Sequence, residues 1–151
     1  YAPKDKIQPS DTLKLLAEDQ LYPVSAPGMS LEEIAQLPLL QVAGYTGDWH
    51  WWLARAATES CDKLLQAWIT QCQHASKQTL RSDNSLTIHQ LAAQGMGVAI
   101  ARSSLVQPLL QSKQLEVIQN APALPSPDFF YASLSPQGIN HPSAQALFSM
   151  L

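Results

Sequence analysis

Lys77-Gln78-Thr79-Leu80-Arg81-Ser82-Asp83-Asn84-Ser85-Leu86-Thr87-Ile88-His89-Gln90-Leu91-Ala92-Ala93-Gln94-Gly95-Met96-Gly97-Val98-Ala99-Ile100-Ala101-Arg102-Ser103-Ser104 is the stretch that decides the fold. Lys77–Ser82 reads as a strand. Asp83-Asn84-Ser85 is a cluster of N-cap residues, whose side-chain oxygens accept the free N–H groups of a helix start. Leu86 to Gln94 then carries Ile88, Leu91 and Ala92 on one helical face, and Gly95 ends it, as glycine does where the chain turns left-handed past a helix. Gly97–Ala101 is a continuous apolar run, the mark of a strand buried on both faces. Ser103-Ser104 caps the next helix, with Leu105, Val106, Leu109 and Leu110 inward and Pro108 in its first turns, where a missing N–H costs little. Leu115–Ile118 is the next strand. Strand–helix–strand–helix–strand implies an α/β fold with parallel strands joined by crossover helices.

The same reading extends outward. Leu21–Gly28 is a strand running into a Pro/Gly loop. Ser30 and Glu33 form a capping box for a short helix, and Leu37–Ala43 is another buried strand. Asp48 caps a helix with Trp49, Trp52, Leu53 and Ala56 on one face, and a second stripe holds Cys61, Leu64, Leu65, Trp68, Ile69 and Cys72. Helical spacing assigns the tryptophans to the core rather than to a cofactor. Asn120–Pro127 is a Pro-rich linker, Phe129–Leu134 a strand, and His141-Pro142-Ser143 opens a last helix with Ala144, Leu147, Phe148 and Leu151 inward.

Composition sets bounds. The 151 residues, 46% hydrophobic and 14% charged, suffice for one packed domain. A net charge of −3 leaves no basic surplus for gripping DNA or RNA. No apolar run of about 18 residues suggests a membrane span, and the polar opening Tyr1–Lys6 is unlike a signal peptide; a cytoplasmic location is expected. Two cysteines make no disulfide framework. His50, His74, His89 and His141 are scattered without metal-ligand spacing, and His89 reads as a surface or boundary residue. Nucleotide-binding loops and nucleophile elbows are missing; neither enzyme activity, cofactor nor metal is expected.

The run from Asn84 to Ala101, a helix ending Ala92-Ala93-Gln94-Gly95-Met96-Gly97-Val98-Ala99-Ile100, resembles the effector-binding domain of LysR-type transcriptional regulators. Tyr22-Pro23-Val24-Ser25-Ala26-Pro27, Leu39-Leu40, Asp48-Trp49 with Trp52-Leu53, Leu115–Ile118 and Phe129-Phe130-Tyr131 follow in the family's order, and are similar to its branch of glycine-cleavage and β-lactamase regulators. The resemblance implies a periplasmic-binding-protein-like type II fold: residues 1–20 as a remnant of effector subdomain I, 21–122 as a complete subdomain II, and 123–151 as the returning strand and helix of a partial subdomain I. It implies homodimers or tetramers, with DNA contacted only through a winged helix-turn-helix that these residues do not include. The incomplete subdomain implies an exposed sheet edge and apolar surface.

In open α/β sheets ligands sit beyond the carboxyl ends of strands, near helix N-termini. With the family's cleft as guide, the candidate effector contacts are Ser25, Asn84, Ser85 and Ser103, with Phe130 and Tyr131 as a wall. Asn84, Ser85 and Ser103 are either caps alone or caps that also touch effector. Arg102 is either an anchor for an effector carboxylate or a solvated surface residue. Asp83 suits an amine, so the expected effector is a carboxylate or an amino-acid-like molecule. The alternatives are a periplasmic solute-binding protein and a regulator that senses redox state through Cys61 and Cys72.

Overall fold

The computed structural model describes residues 2–3, 12–74 and 77–151. Apart from Ala2 and Pro3, the polar opening lies outside the described residues.

Strands β1 (Ala2–Pro3), β2 (Leu13–Ser25), β3 (Leu39–Val42), β4 (Thr79–Ser82), β5 (Val98–Arg102), β6 (Glu116–Val117) and β7 (Leu124–Ser133) form one sheet in the order β1-β7-β2-β5-β3-β4, with β6 also on β2. Helices α1 (Leu31–Gln36), α2 (Trp49–Glu59), α3 (Lys63–Gln73), α4 (Ser85–Ala93), α5 (Ser103–Gln111), α6 (Pro136–Ile139) and α7 (Pro142–Met150) complete the described chain. β3 is parallel to both β4 and β5, so it separates the two strands that α4 joins. β5 and β6 are each antiparallel to β2, and hence parallel to one another across it. The expected crossovers are present, but each spans an intervening strand.

The continuous apolar runs are explained by burial on both faces. Leu21, Leu39 and Val98 face one core layer, closed by Trp49, Trp52, Leu53, Leu65, Trp68 and Ile69 of α2 and α3. Tyr22, Val24, Leu40, Ala99 and Ala101 face the other, closed by Ile88 and Ala92 of α4 and Val106 of α5. Trp49, Trp52 and Trp68 pack as a triad with ring centroids 6.0–6.4 Å apart.

Local signals act as expected at several ends. Ser30 and Glu33 form the capping box of α1. Gly95 has φ +75°, and Met96 N–H donates to Leu91 O at 3.0 Å, closing α4.

Five expectations are corrected, the first being Leu105, read as inward on α5 but 41% exposed. Cys61 lies before α3 and is exposed, and Leu64 is 74% exposed, because Asp62 caps α3 and rotates both off the buried stripe. Pro108 is the sixth residue of α5, beyond its first turn. The Pro-rich linker is half strand: β7 begins at Leu124 and pairs with β2 through a register shift between Glu18 and Gln20, which accommodates Pro125 opposite Gln20. On α7 Phe148 is buried, but Leu147 (63%) and Leu151 (58%) are exposed, since no other described element covers that face.

Candidate functional site

Parallel strands β3 and β5 end side by side, and the chain leaves each toward a helix. The loop 43–48 after β3 leads to α2; Ser103 after β5 begins α5. Between them Gln41, Val42, Tyr45, Gly47, Asp48, Ser85, His89, Ile100, Arg102 and Leu105 line a crevice. Its cavity volume is about 20 Å³, room for one water-sized group.

A buried ionic cluster forms its floor. Arg102 is 4% exposed. Its Nη2 donates to Asp128 Oδ2 at 2.9 Å and its Nη1 to Ser126 Oγ at 2.8 Å, with Asp19 Oδ2 at 4.0 Å. The Tyr45 ring lies over the guanidinium, 3.9 Å from its centroid. Asp128 Oδ2 also accepts from Thr46 N–H (2.9 Å) and Gly47 N–H (2.8 Å), so a carboxylate on β7 holds the loop that walls the crevice. A Cβ on Gly47 would stand 2.6 Å from Leu21 Cδ1 and 2.9 Å from Pro127 Cδ, so the loop can seat here only without a side chain. Asp19 Oδ1 accepts from Ser103 Oγ (3.1 Å) and Ser104 N–H (2.8 Å), capping α5 from β2. Asp19 Oδ2 and Asp128 Oδ1 are buried and accept no hydrogen bond among the described residues.

Helix α4 supplies another wall. Asn84 Oδ1 caps it, accepting from Leu86 N–H (2.9 Å) and Thr87 N–H (3.2 Å). Ser85 and His89, one turn apart, face the crevice. His89 is 4% exposed and makes no hydrogen bond among the described residues; burial holds its pKa below the usual histidine value. The sequence read it as a surface or boundary residue. The correction is tertiary: α4 lays this position against the ends of β3 and β5.

The structure brings Ser85 and Arg102 to one crevice and separates the other candidates. Asn84 and Ser103 lie beside it, engaged in capping α4 and bonding Asp19. Ser103, expected as the α5 cap, instead donates to Asp19 and accepts from Gln20 N–H at 3.0 Å. Ser25 ends β2, which is antiparallel to β5: Leu21 pairs with Arg102 and Val24 with Ala99. Ser25 therefore sits at the opposite end of the sheet, roughly 13 Å along the strands. There it lines a separate cavity of about 400 Å³ with Met29, Asp62, Glu116 and Asn120. Phe130 and Tyr131 pair with Ala17 and Leu15 on β2 and do not line the crevice. Arg102 is neither a solvated residue nor an open anion anchor, because two carboxylates and a serine already surround it.

Sequence reasoning missed Asp19, Gln41, Tyr45, Ser126 and Asp128. No local signal marks them; Asp19, Ser126 and Asp128 meet Arg102 because β7, β2 and β5 are successive strands of the sheet, and Gln41 and Tyr45 join because β3 lies beside β5.

The cysteines do not form a redox pair. Cys61 is exposed and Cys72 buried, at opposite ends of α3. The nine helical steps from Lys63 to Cys72 alone span about 13 Å, and Cys61 lies before that helix, so the pair is well beyond the Cα separation of a disulfide. Burial pushes the Cys72 thiol up to about 11, which suppresses its thiolate. Among the described residues, no three His, Cys, Asp or Glu side chains are grouped to hold a metal ion, and no helix is long and apolar enough to cross a membrane.

Comparison with known proteins places this architecture. The effector-binding domain of AmpR from Citrobacter freundii matches with a TM-score of 0.60 and 19% identity, over 92% of this chain and 64% of that one. The AmpR effector domain of Pseudomonas aeruginosa gives 0.62 and 20%, over 91% and 62%. The bromide-bound regulatory domain of HypT from Salmonella typhimurium gives 0.58 and 18%, over 99% and 67%. The chain thus spans less than two thirds of either AmpR domain. No curated protein matches the sequence. The LysR substrate binding domain model matches residues 5–151. The chain belongs to the LysR substrate-binding domain family, the effector-binding domains of LysR-type transcriptional regulators, with their periplasmic-binding-protein-like type II α/β fold.

Proposed function

We propose that this chain senses a small amino-acid-like effector in the crevice between the ends of β3 and β5, for a regulator that contacts DNA through a winged helix-turn-helix outside these residues. In this reading residues 21–122 are effector subdomain II, and 1–20 with 123–151 belong to subdomain I. The single observation that carries it is the crevice itself: in a chain of this family, Gln41, Tyr45, Asp48, Ser85, His89 and Arg102 converge beyond the carboxyl ends of parallel strands.

The cavity admits one water-sized group, so a larger effector has to widen the crevice. Asp128 on β7 grips the loop 43–48, and widening therefore pulls on the strand shared with subdomain I. A ligand that prefers the wider state shifts the arrangement of the subdomains; one with equal affinity for both shifts nothing. The exposed Leu147 and Met150 of α7, with Leu151 after it, support assembly into dimers or tetramers. Because Asn84 and Ser103 are occupied, effector contact is assigned to Ser85, a candidate from the sequence, and to His89, which the fold brings to the crevice.

Thermal denaturation of the chain against amino acids and small amines tests the reading. A true effector at 100 times its Kd stabilises by about 2.7 kcal/mol, and Ser85→Val removes that gain while leaving the unliganded Tm close to its starting value. Stabilisation that survives Ser85→Val and His89→Leu together would place the ligand elsewhere.

A further inference from the structure

We infer that the group this crevice admits is a cationic nitrogen, an ammonium, received by Asp48, Ser85 and His89, and that a carboxylate is refused there. The inference rests on the effector reading above and names the ligand chemistry of the same crevice.

Three features that ordinarily attract an anion are already engaged. The first free N–H groups of α4 go to Asn84 Oδ1. Ser104 N–H of α5 goes to Asp19 Oδ1. Arg102 donates to Asp128 and Ser126, with Asp19 at 4.0 Å. Arg102 is thus outweighed by Asp19 and Asp128 behind the lining, and Asp48 adds a further negative charge in it. A ligand carboxylate would meet net negative charge at short range, which repels it.

What remains open in the lining is acceptor capacity. Asp48 Oδ1 caps α2 through Trp51 N–H at 2.9 Å, but its Oδ2 has only a 3.4 Å contact from Gln41 Nε2. The Ser85 hydroxyl makes no hydrogen bond among the described residues. His89, buried and unpartnered, faces the crevice, and burial keeps its imidazole neutral, so one ring nitrogen retains its lone pair. An ammonium brings donors only, which complements this set. Its size also suits a cavity of about 20 Å³.

The test uses the 151-residue chain, isotopically labelled for NMR, titrated at pH 8 and constant ionic strength with methylammonium chloride, sodium acetate and acetamide. Methylammonium should move the His89 ring and Ser85 amide resonances to saturation, and acetate should leave both in place. Asp48→Asn keeps the oxygen that caps α2 but removes the charge, and should weaken methylammonium roughly fivefold or more. His89→Phe is the second variant and should abolish the saturable shift whether or not Asp48→Asn folds. If acetate moves these resonances and methylammonium does not, or acetamide does so equally well, the charge assignment is overturned while the effector crevice stands. If no probe moves them, both fall.

Discussion

Asp128→Ala tests the buried cluster that couples β7 to the crevice. The Asp128 side chain is fully buried and accepts from Arg102, Thr46 and Gly47 at 2.8–2.9 Å. Removing one partner of a buried ion pair costs about 3–5 kcal/mol, because the other charge stays buried and uncompensated. Two features place this site near the lower end. Asp19 remains 4.0 Å from the guanidinium, and Thr46 is exposed, so water can take over its N–H. A loss of about 3 kcal/mol is therefore expected, against a total of about 5–15 kcal/mol for a domain. Urea unfolding followed by tryptophan fluorescence reads it directly, since Trp49, Trp52 and Trp68 are all buried. With m near 2 kcal/mol/M, the midpoint falls by about 1.5 M. Arg102→Met alone should cost a similar amount, by leaving Asp19 and Asp128 facing each other. The double variant should lose at least about 1.5 kcal/mol less than the sum of the two. A loss below about 1 kcal/mol for Asp128→Ala, with additive effects in the double variant, is the behaviour of a solvent-screened surface pair and would refute the reasoning.

Other outcomes follow from single sites. Asn84→Ala should cost about 1 kcal/mol through the lost α4 cap, while Asn84→Asp should cost a few tenths at most; chemical denaturation of the pair decides it. His89 has a folded pKa below its unfolded one, so the unfolded chain binds the extra proton. Stability is therefore complete above about pH 6.5 and falls as pH drops through that value toward the folded pKa. Unfolding free energies measured across pH 5–8 should show this slope, and His89→Leu should flatten it. Thiol labelling at pH 8 should modify Cys61 at once and Cys72 only after unfolding; equal rates in the folded chain would contradict the burial of Cys72.

Much of the fold is legible along the chain because its signals are local. Asn84, Asp48 and the Ser30–Glu33 pair begin helices with their own side chains, and Gly95 ends one through its positive φ. The apolar runs of β3 and β5 announce strands covered on both faces. Leu64 and Leu147 were misplaced because periodicity reports which residues could face a core and not which face another element covers. Half of β7 was hidden by its prolines, which suggest a linker until a register shift makes room for them.

The sequence by itself determined most helices and the strands of the buried core, their order and the family, since capping, turning and apolar runs act within a few residues of one another; it carried no sign of the Leu13–Gln20 half of β2 or of α6. Tertiary structure alone decided the site. The antiparallel course of β2 moved Ser25 to the far end of the sheet. The adjacency of β2, β5 and β7 gathered Asp19, Arg102, Ser126 and Asp128 from positions up to 109 residues apart. Charges this distant in sequence have no local pattern to betray them; they meet because a sheet sets neighbours by strand order, and strand order is a property of the whole fold.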